Sequence, residues 1–135
     1  MIDLSDNEFD AIITQAMDEL PQEYIATLNN VVITFEDKPS PEQRKSLNLR
    51  CNQTLYGLYE GIPITKKPAA SSILSGNVMT LPDKITIFKL PILHNAQNID
   101  EAKRQVKHTL WHEIAHYYGL DHDRIHEIET KHLDS

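Results

Sequence analysis

A chain of 135 residues has room for one domain with a hydrophobic core and not for two, so a single domain over residues 1–135 is expected. Twenty acidic residues against thirteen Lys and Arg give a net charge of −7 and a pI near 5.4, which argues against a general nucleic-acid binder, since phosphate contacts need clustered Lys and Arg. Cys51 is the only cysteine and no apolar stretch reads as a signal segment or a membrane span, so intrachain disulfides are excluded and a reducing, cytoplasmic setting is expected.

Ser5-Asp6-Asn7-Glu8 has the order of a capping box. Phe9, Ile12, Ile13, Ala16, Met17 and Leu20 follow at helical spacing, which predicts a first helix ended by Pro21. Pro21 can also open a second, short helix over Gln22 to Leu28, with Tyr24, Ile25 and Leu28 on its apolar face. After the Asn29-Asn30 turn, the β-branched run Val31 to Glu36 predicts the first strand, expected at the centre of its sheet. Asp37 to Asn48 carries Pro39 and Pro41 among charged residues and reads as a loop with one helical turn from Ser40-Pro41. Cys51 is expected to be a small buried or half-buried residue rather than a nucleophile.

Leu55 to Glu60 reads as a short strand whose two faces are both partly apolar, so its buried face stays open. Tyr56 and Tyr59 within it are candidates to reach a cleft, although packing on the sheet is the commoner fate of such rings. Gly61 to Pro82 holds Pro63, Pro68, Gly76 and an Ala-Ala-Ser-Ser tract, the composition of a long mobile excursion. Lys84 to Leu90 alternates and stops at Pro91, as a strand near a sheet edge does.

Val106 to Tyr118 predicts a helix, and Asn98 or Asp100 is placed to cap its start. Its end carries His112-Glu113-Ile114-Ala115-His116-Tyr117-Tyr118-Gly119-Leu120-Asp121-His122, the pattern H-E-x-x-H-x-x-G-x-x-H. Residues four apart lie one turn above each other, so His112 and His116 present two imidazoles on one face while Val106, Leu110, Ile114 and Tyr117 occupy the opposite side. Gly119 falls where a left-handed residue commonly ends a helix, which lets the chain turn back and bring His122 toward the same metal. Glu113 is rotated roughly 100° from His112, a position beside an activated water rather than on the metal itself. Zinc is therefore the expected cofactor, with His112, His116 and His122 as ligands and Glu113 as the catalytic general base. His108, one turn earlier, reads as a solvated or supporting residue. In the closing helix predicted over Asp123 to His132, Glu127 or Glu129 is the fallback third ligand. Asp121, Asp123 and Glu127 are the nearest carboxylates for the second ring nitrogen of a ligating histidine, and solvation is an equal alternative for each.

From its amino terminus to about Glu127 the chain resembles the small bacterial zincin-like metallopeptidases, the minimal zincins. The likeness is carried by Leu20-Pro21, by Leu55 through Pro63, by Leu81 through Phe88, and by Val106 through His122. It implies a compact α+β domain in which a short mixed β-sheet packs against an N-terminal helix and the motif helix, and it implies no particular substrate. Relatives often carry Asp where this chain has His122, and both residues ligate zinc. The metzincins add a methionine turn after the motif, whereas Met1, Met17 and Met79 all precede it here and only thirteen residues follow His122. The resemblance thus points to a metzincin-like ligand set without the metzincin carboxy-terminal subdomain.

Hydrolysis of a peptide or related amide bond is the function these residues favour, with an unidentified peptide or protein as partner and neither nucleic acid nor membrane. One alternative is a zinc endoribonuclease of the ribosome-maturation type, whose motif tail Tyr118-Gly119-Leu120-Asp121-His122 resembles. That family usually has glycine after its first histidine and acts on a polyanion, so Glu113 and the acidic charge favour the peptidase. The other alternative is a non-catalytic, zinc-stabilised binding module, against which the intact Glu113 speaks weakly. The oligomeric state is not legible in the sequence.

Overall fold

Residues 2–46, 55–66 and 82–132 are described by a computed structural model, with Ser46, Lys66, His122 and His132 described by their backbones alone. Cys51 and most of the predicted excursion lie outside the described residues. The first helix, α1 (Asp6–Glu19), starts as the sequence predicts. The Ser5 hydroxyl accepts from the Glu8 N–H at 3.1 Å and the Ser5 N–H donates to Glu8 Oε1 at 3.0 Å. These hydrogen bonds hold the Glu8 carboxyl below its ordinary range. A short α2 (Gln22–Ala26) and strand β1 (Val31–Glu36) follow, joined through Asn30 at φ 58°, a left-handed turn residue. Helix α3 (Pro41–Ser46) carries a second reciprocal cap: the Ser40 N–H donates to Gln43 Oε1 at 2.8 Å and the Ser40 hydroxyl accepts from the Gln43 N–H at 3.1 Å. Then come β2 (Gly57–Glu60), a 3-10 turn (Ile64–Lys66), β3 (Asp83–Phe88), α4 (Lys89–Asn95), α5 (Ile99–Tyr118) and α6 (His122–His132).

The three described strands form one mixed sheet in the order β1-β3-β2, with β1 parallel and β2 antiparallel to β3. This corrects two expectations. Val31–Glu36 is an edge strand among the described residues, with Val32 46% exposed, and Asp83–Phe88 is the central strand, buried at every residue except Lys84. A strand covered on both faces shows a continuous apolar run rather than an alternation; here Ile85-Thr86-Ile87-Phe88 is that run, flanked by Lys84 and Lys89. Pro91 does not stop the strand either. It sits in the first turn of α4, where a missing N–H leaves no hydrogen bond unmade, so strand passes to helix directly at Lys89. The Lys89 ammonium, nearly buried, donates to Asp6 Oδ1 at 2.8 Å and ties this junction to the start of α1.

The register places Val31, Ile33 and Phe35 of β1, Ile85 and Ile87 of β3, and Gly57 and Tyr59 of β2 on one face. On that face α1 packs with Phe9, Ile12, Ile13 and Ala16, and α5 with Ala102, Val106, Leu110 and Ile114, while Ile125 and Ile128 of α6 join the same cluster. Each fully buried side chain of this kind contributes on the order of 1.5–3 kcal/mol. The result is the α+β architecture expected from the sequence: a small mixed sheet carrying the N-terminal helix and the motif helix. No helix among the described residues is long and apolar enough to cross a membrane.

Candidate metal centre

The motif helix begins at Ile99, well ahead of Val106. Of the two possible caps Asn98 is the one used, its Oδ1 accepting from the Glu101 N–H at 2.9 Å, with Asp100 and Glu101 in the first turn where the helix dipole favours negative charge. The other end is fixed by aromatic packing and by glycine. Tyr24 of α2 stands edge-on to Trp111 and Tyr118 at centroid distances of 5.2 and 5.4 Å, and the Tyr118 hydroxyl donates to the Tyr24 carbonyl at 2.6 Å. Gly119 takes φ 71°; its N–H donates to the His116 carbonyl at 3.0 Å, and the Leu120 N–H donates to the Ala115 carbonyl at 3.1 Å. A Cβ at residue 119 would lie 2.5 Å from Thr65 Oγ1, so a side chain there would crowd Thr65 as well as strain the backbone angle. The chain turns there, Asp121 Oδ1 accepts from the Arg124 N–H at 2.8 Å, and His122 becomes the first residue of α6. The side chain of His122 lies outside the described residues.

On the cleft face of α5, His112 Nε2 and His116 Nε2 approach to 3.0 Å, with ring planes 79° apart. Two nitrogens each about 2.05 Å from a tetrahedral zinc are separated by roughly 3.3 Å. The pair therefore fits one metal ion with little adjustment, and both rings would ligate through the same nitrogen. Among the described residues no third His, Cys, Asp or Glu completes a coordination group.

Glu113 lies behind this pair and is only 8% exposed. Burial pushes its carboxyl up to about 7, against the opposing pull of the Tyr59 backbone N–H that donates to it. Sheet geometry explains that donor. The Phe88 N–H donates to the Tyr56 carbonyl at 2.8 Å, so Tyr56 and Phe88 form a hydrogen-bonded pair in the register that sets Gly57 opposite Ile87. Such pairs alternate along an antiparallel ladder; Leu58 and Glu60 therefore turn their backbone groups to β3, and Gly57 and Tyr59 turn theirs away from it.

Gly57 lets β2 approach α5 this closely. A Cβ there would stand 2.5 Å from Thr109 Cγ2 and 3.4 Å from Glu113 Cγ, and the Thr109 side chain is buried and stiff at χ1. Gly57→Ala should lower stability by about 1–3 kcal/mol, since the strand must shift or Thr109 must leave its rotamer. Urea unfolding would measure the loss; a change below about 0.5 kcal/mol would show that the contact relaxes freely.

Two hollows adjoin the site. One is bordered by Gly57, Tyr59, His112, Glu113 and His116. The other continues from His112 and Glu113 past Gln105, His108 and Thr109 to Glu129 of α6, with Leu55 and Tyr56 on its far wall. Tyr56 thus reaches the cleft. Tyr59 borders it but packs its ring against Tyr117 at 6.4 Å and donates its hydroxyl to Asp83 Oδ2 at 2.6 Å; burial, and after it this bond, raises its pKa far above the usual tyrosine value. His108 is half-buried on the wall next to His112. Glu127 is turned outward, half-exposed and paired with Arg124 Nη1 at 3.1 Å, and Asp121 caps α6, so neither carboxylate is directed at the two histidines. Sequence reasoning missed the Tyr59 N–H and Thr109; Glu129, the fallback ligand, lines the hollow without forming a metal-holding group with the two histidines among the described residues. A lone glycine inside a strand signals close backbone approach, and Gly57 was the available clue to the first two.

Residues 28–132 match the family model of the zincin-like metallopeptidases. No curated protein matches the chain.

Proposed function

Because the chain belongs to the zincin-like metallopeptidase family, we propose that it hydrolyses peptide or related amide bonds with zinc held by His112, His116 and His122 and with Glu113 as general base. The observation that carries this reading is a buried Glu113 carboxyl beside two histidine nitrogens 3.0 Å apart. Zinc, when bound, polarises the scissile carbonyl and lowers the pKa of water toward neutrality. Glu113 takes the proton of the attacking water and returns it to the leaving amine. The Tyr59 N–H holds the Glu113 carboxyl against the strand, so its position is set by backbone rather than by a flexible partner. Gly57 N–H and C=O and Tyr59 C=O, turned away from β3, give the main chain of an extended peptide its ladder partners.

The test offers unstructured polypeptides and both structured and single-stranded RNA to the zinc-loaded protein at low and moderate salt. Polypeptide cleavage without durable RNA binding is expected, because a chain of net charge −7 gains little from counterion release. Zinc-dependent RNA cleavage that survives in Glu113→Gly would overturn the peptidase reading in favour of the endoribonuclease.

A further inference from the structure

We propose that Glu129 makes this site select peptides with a cationic side chain, Lys or Arg, beside the scissile bond; the proposal rests on the peptidase reading. The Glu129 side chain is only 15% exposed, against 52% for Glu127 on the same helix. Its ion partner His126 offers Nδ1 at 3.7 Å, beyond hydrogen-bond length, from a side chain that is 79% exposed. A Lys or Arg within hydrogen-bond reach would give this carboxylate a closer, charge-assisted partner than His126 does. Among the described residues no Lys or Arg lines the hollow that Glu129 shares with His112 and Glu113. Glu129 lines the hollow beside His112 and Glu113, and it does not join His112 and His116 in a metal-holding group among the described residues.

The rest of the hollow fits the same ligand. Leu55 and Tyr56 provide an apolar wall for the methylene stem of Lys or Arg, and an aromatic ring adds favourable contact with the charged head. Gln105 donates from its amide nitrogen to Thr109 Oγ1 at 2.9 Å, and its amide oxygen remains an acceptor on the same wall. Among the described residues of this hollow an anionic side chain would meet two acidic groups, Glu113 and Glu129, and no Lys or Arg.

The experiment uses the zinc-loaded protein and one peptide scaffold in which each position flanking the scissile bond carries Lys, Arg, norleucine or Glu in turn. At one flanking position Lys and Arg should exceed norleucine by about tenfold or more in kcat/KM, with Glu the poorest. Glu129→Gln should bring the Lys-to-norleucine ratio close to one, and Glu129→Lys should invert it toward the Glu peptide, a reversal that a purely structural residue would not produce. Cleavage of the series without a preference for Lys or Arg overturns the proposal in the parent protein alone, whether or not the variants fold. A preference that persists in Glu129→Gln overturns it as well. If no peptide of any composition is cleaved, the peptidase reading fails and the proposal fails with it.

Discussion

Glu113→Gln is expected to lower peptide turnover by about 10²–10⁴-fold while zinc remains bound. The amide keeps the size of glutamate and an oxygen to accept from the Tyr59 N–H, but it does not accept a proton at neutral pH. Turnover kinetics and metal analysis on the same preparation check both halves. Loss of zinc together with activity would make Glu113 a ligand rather than a base. The same substitution should stabilise the metal-free protein. The Glu113 carboxyl is raised from 4.5 to about 7 by burial, so between those values the folded state holds a proton that the unfolded chain releases. The stability contributed by the neutral acid is therefore complete below about pH 4.5 and is lost as pH rises through 7. Relative to Glu113→Gln, the metal-free parent should lose up to about 3 kcal/mol between pH 5 and 8, a difference in which other titrating groups cancel. Parallel pH profiles for the two proteins would mean that the carboxyl is solvated. Zinc should flatten the difference, since a nearby cation favours the ionised form.

Zinc is expected to raise the melting temperature markedly, because the ligands converge only in the folded chain; a metal at a thousand times its Kd adds about 4 kcal/mol. The gain should fade below about pH 6.5, where unperturbed imidazoles protonate and no longer ligate. Removing one ligand from a three-histidine site forfeits most of that binding, so alanine at His112, His116 or His122 should abolish the zinc-induced shift at the same metal concentration. Differential scanning calorimetry with and without zinc measures it. If His122→Ala keeps the full shift, the three-histidine set is wrong, while the roles of His112 and His116 stand or fall by their own variants.

Local rules carried the motif. Histidines one turn apart, a glycine at the helix end and a capping residue at the start act over a few residues, so His112, His116, Gly119 and Asn98 were legible in the sequence. The same holds for the Ser5 cap and for α6, whose Ile125 and Ile128 mark its buried side. Sheet order was not legible, because whether a strand is central depends on what covers both of its faces; Val31–Glu36 has the stronger β-branched signal and yet lies at the edge among the described residues. Helix α4 was hidden because Pro91 ends a strand and opens a helix with equal ease. The hydrogen bond from Tyr59 to Glu113 and the placement of Glu129 both depend on how distant segments pack, which no short window of sequence encodes.

Anomalous scattering at the zinc edge from crystals of the zinc-loaded protein tests the central claim most directly. The account predicts one strong peak within about 2.0–2.1 Å of both His112 Nε2 and His116 Nε2, with the Glu113 carboxylate near it but not bonded to it. A peak coordinated by Glu113, or zinc bound elsewhere with the two histidines unengaged, would contradict the account.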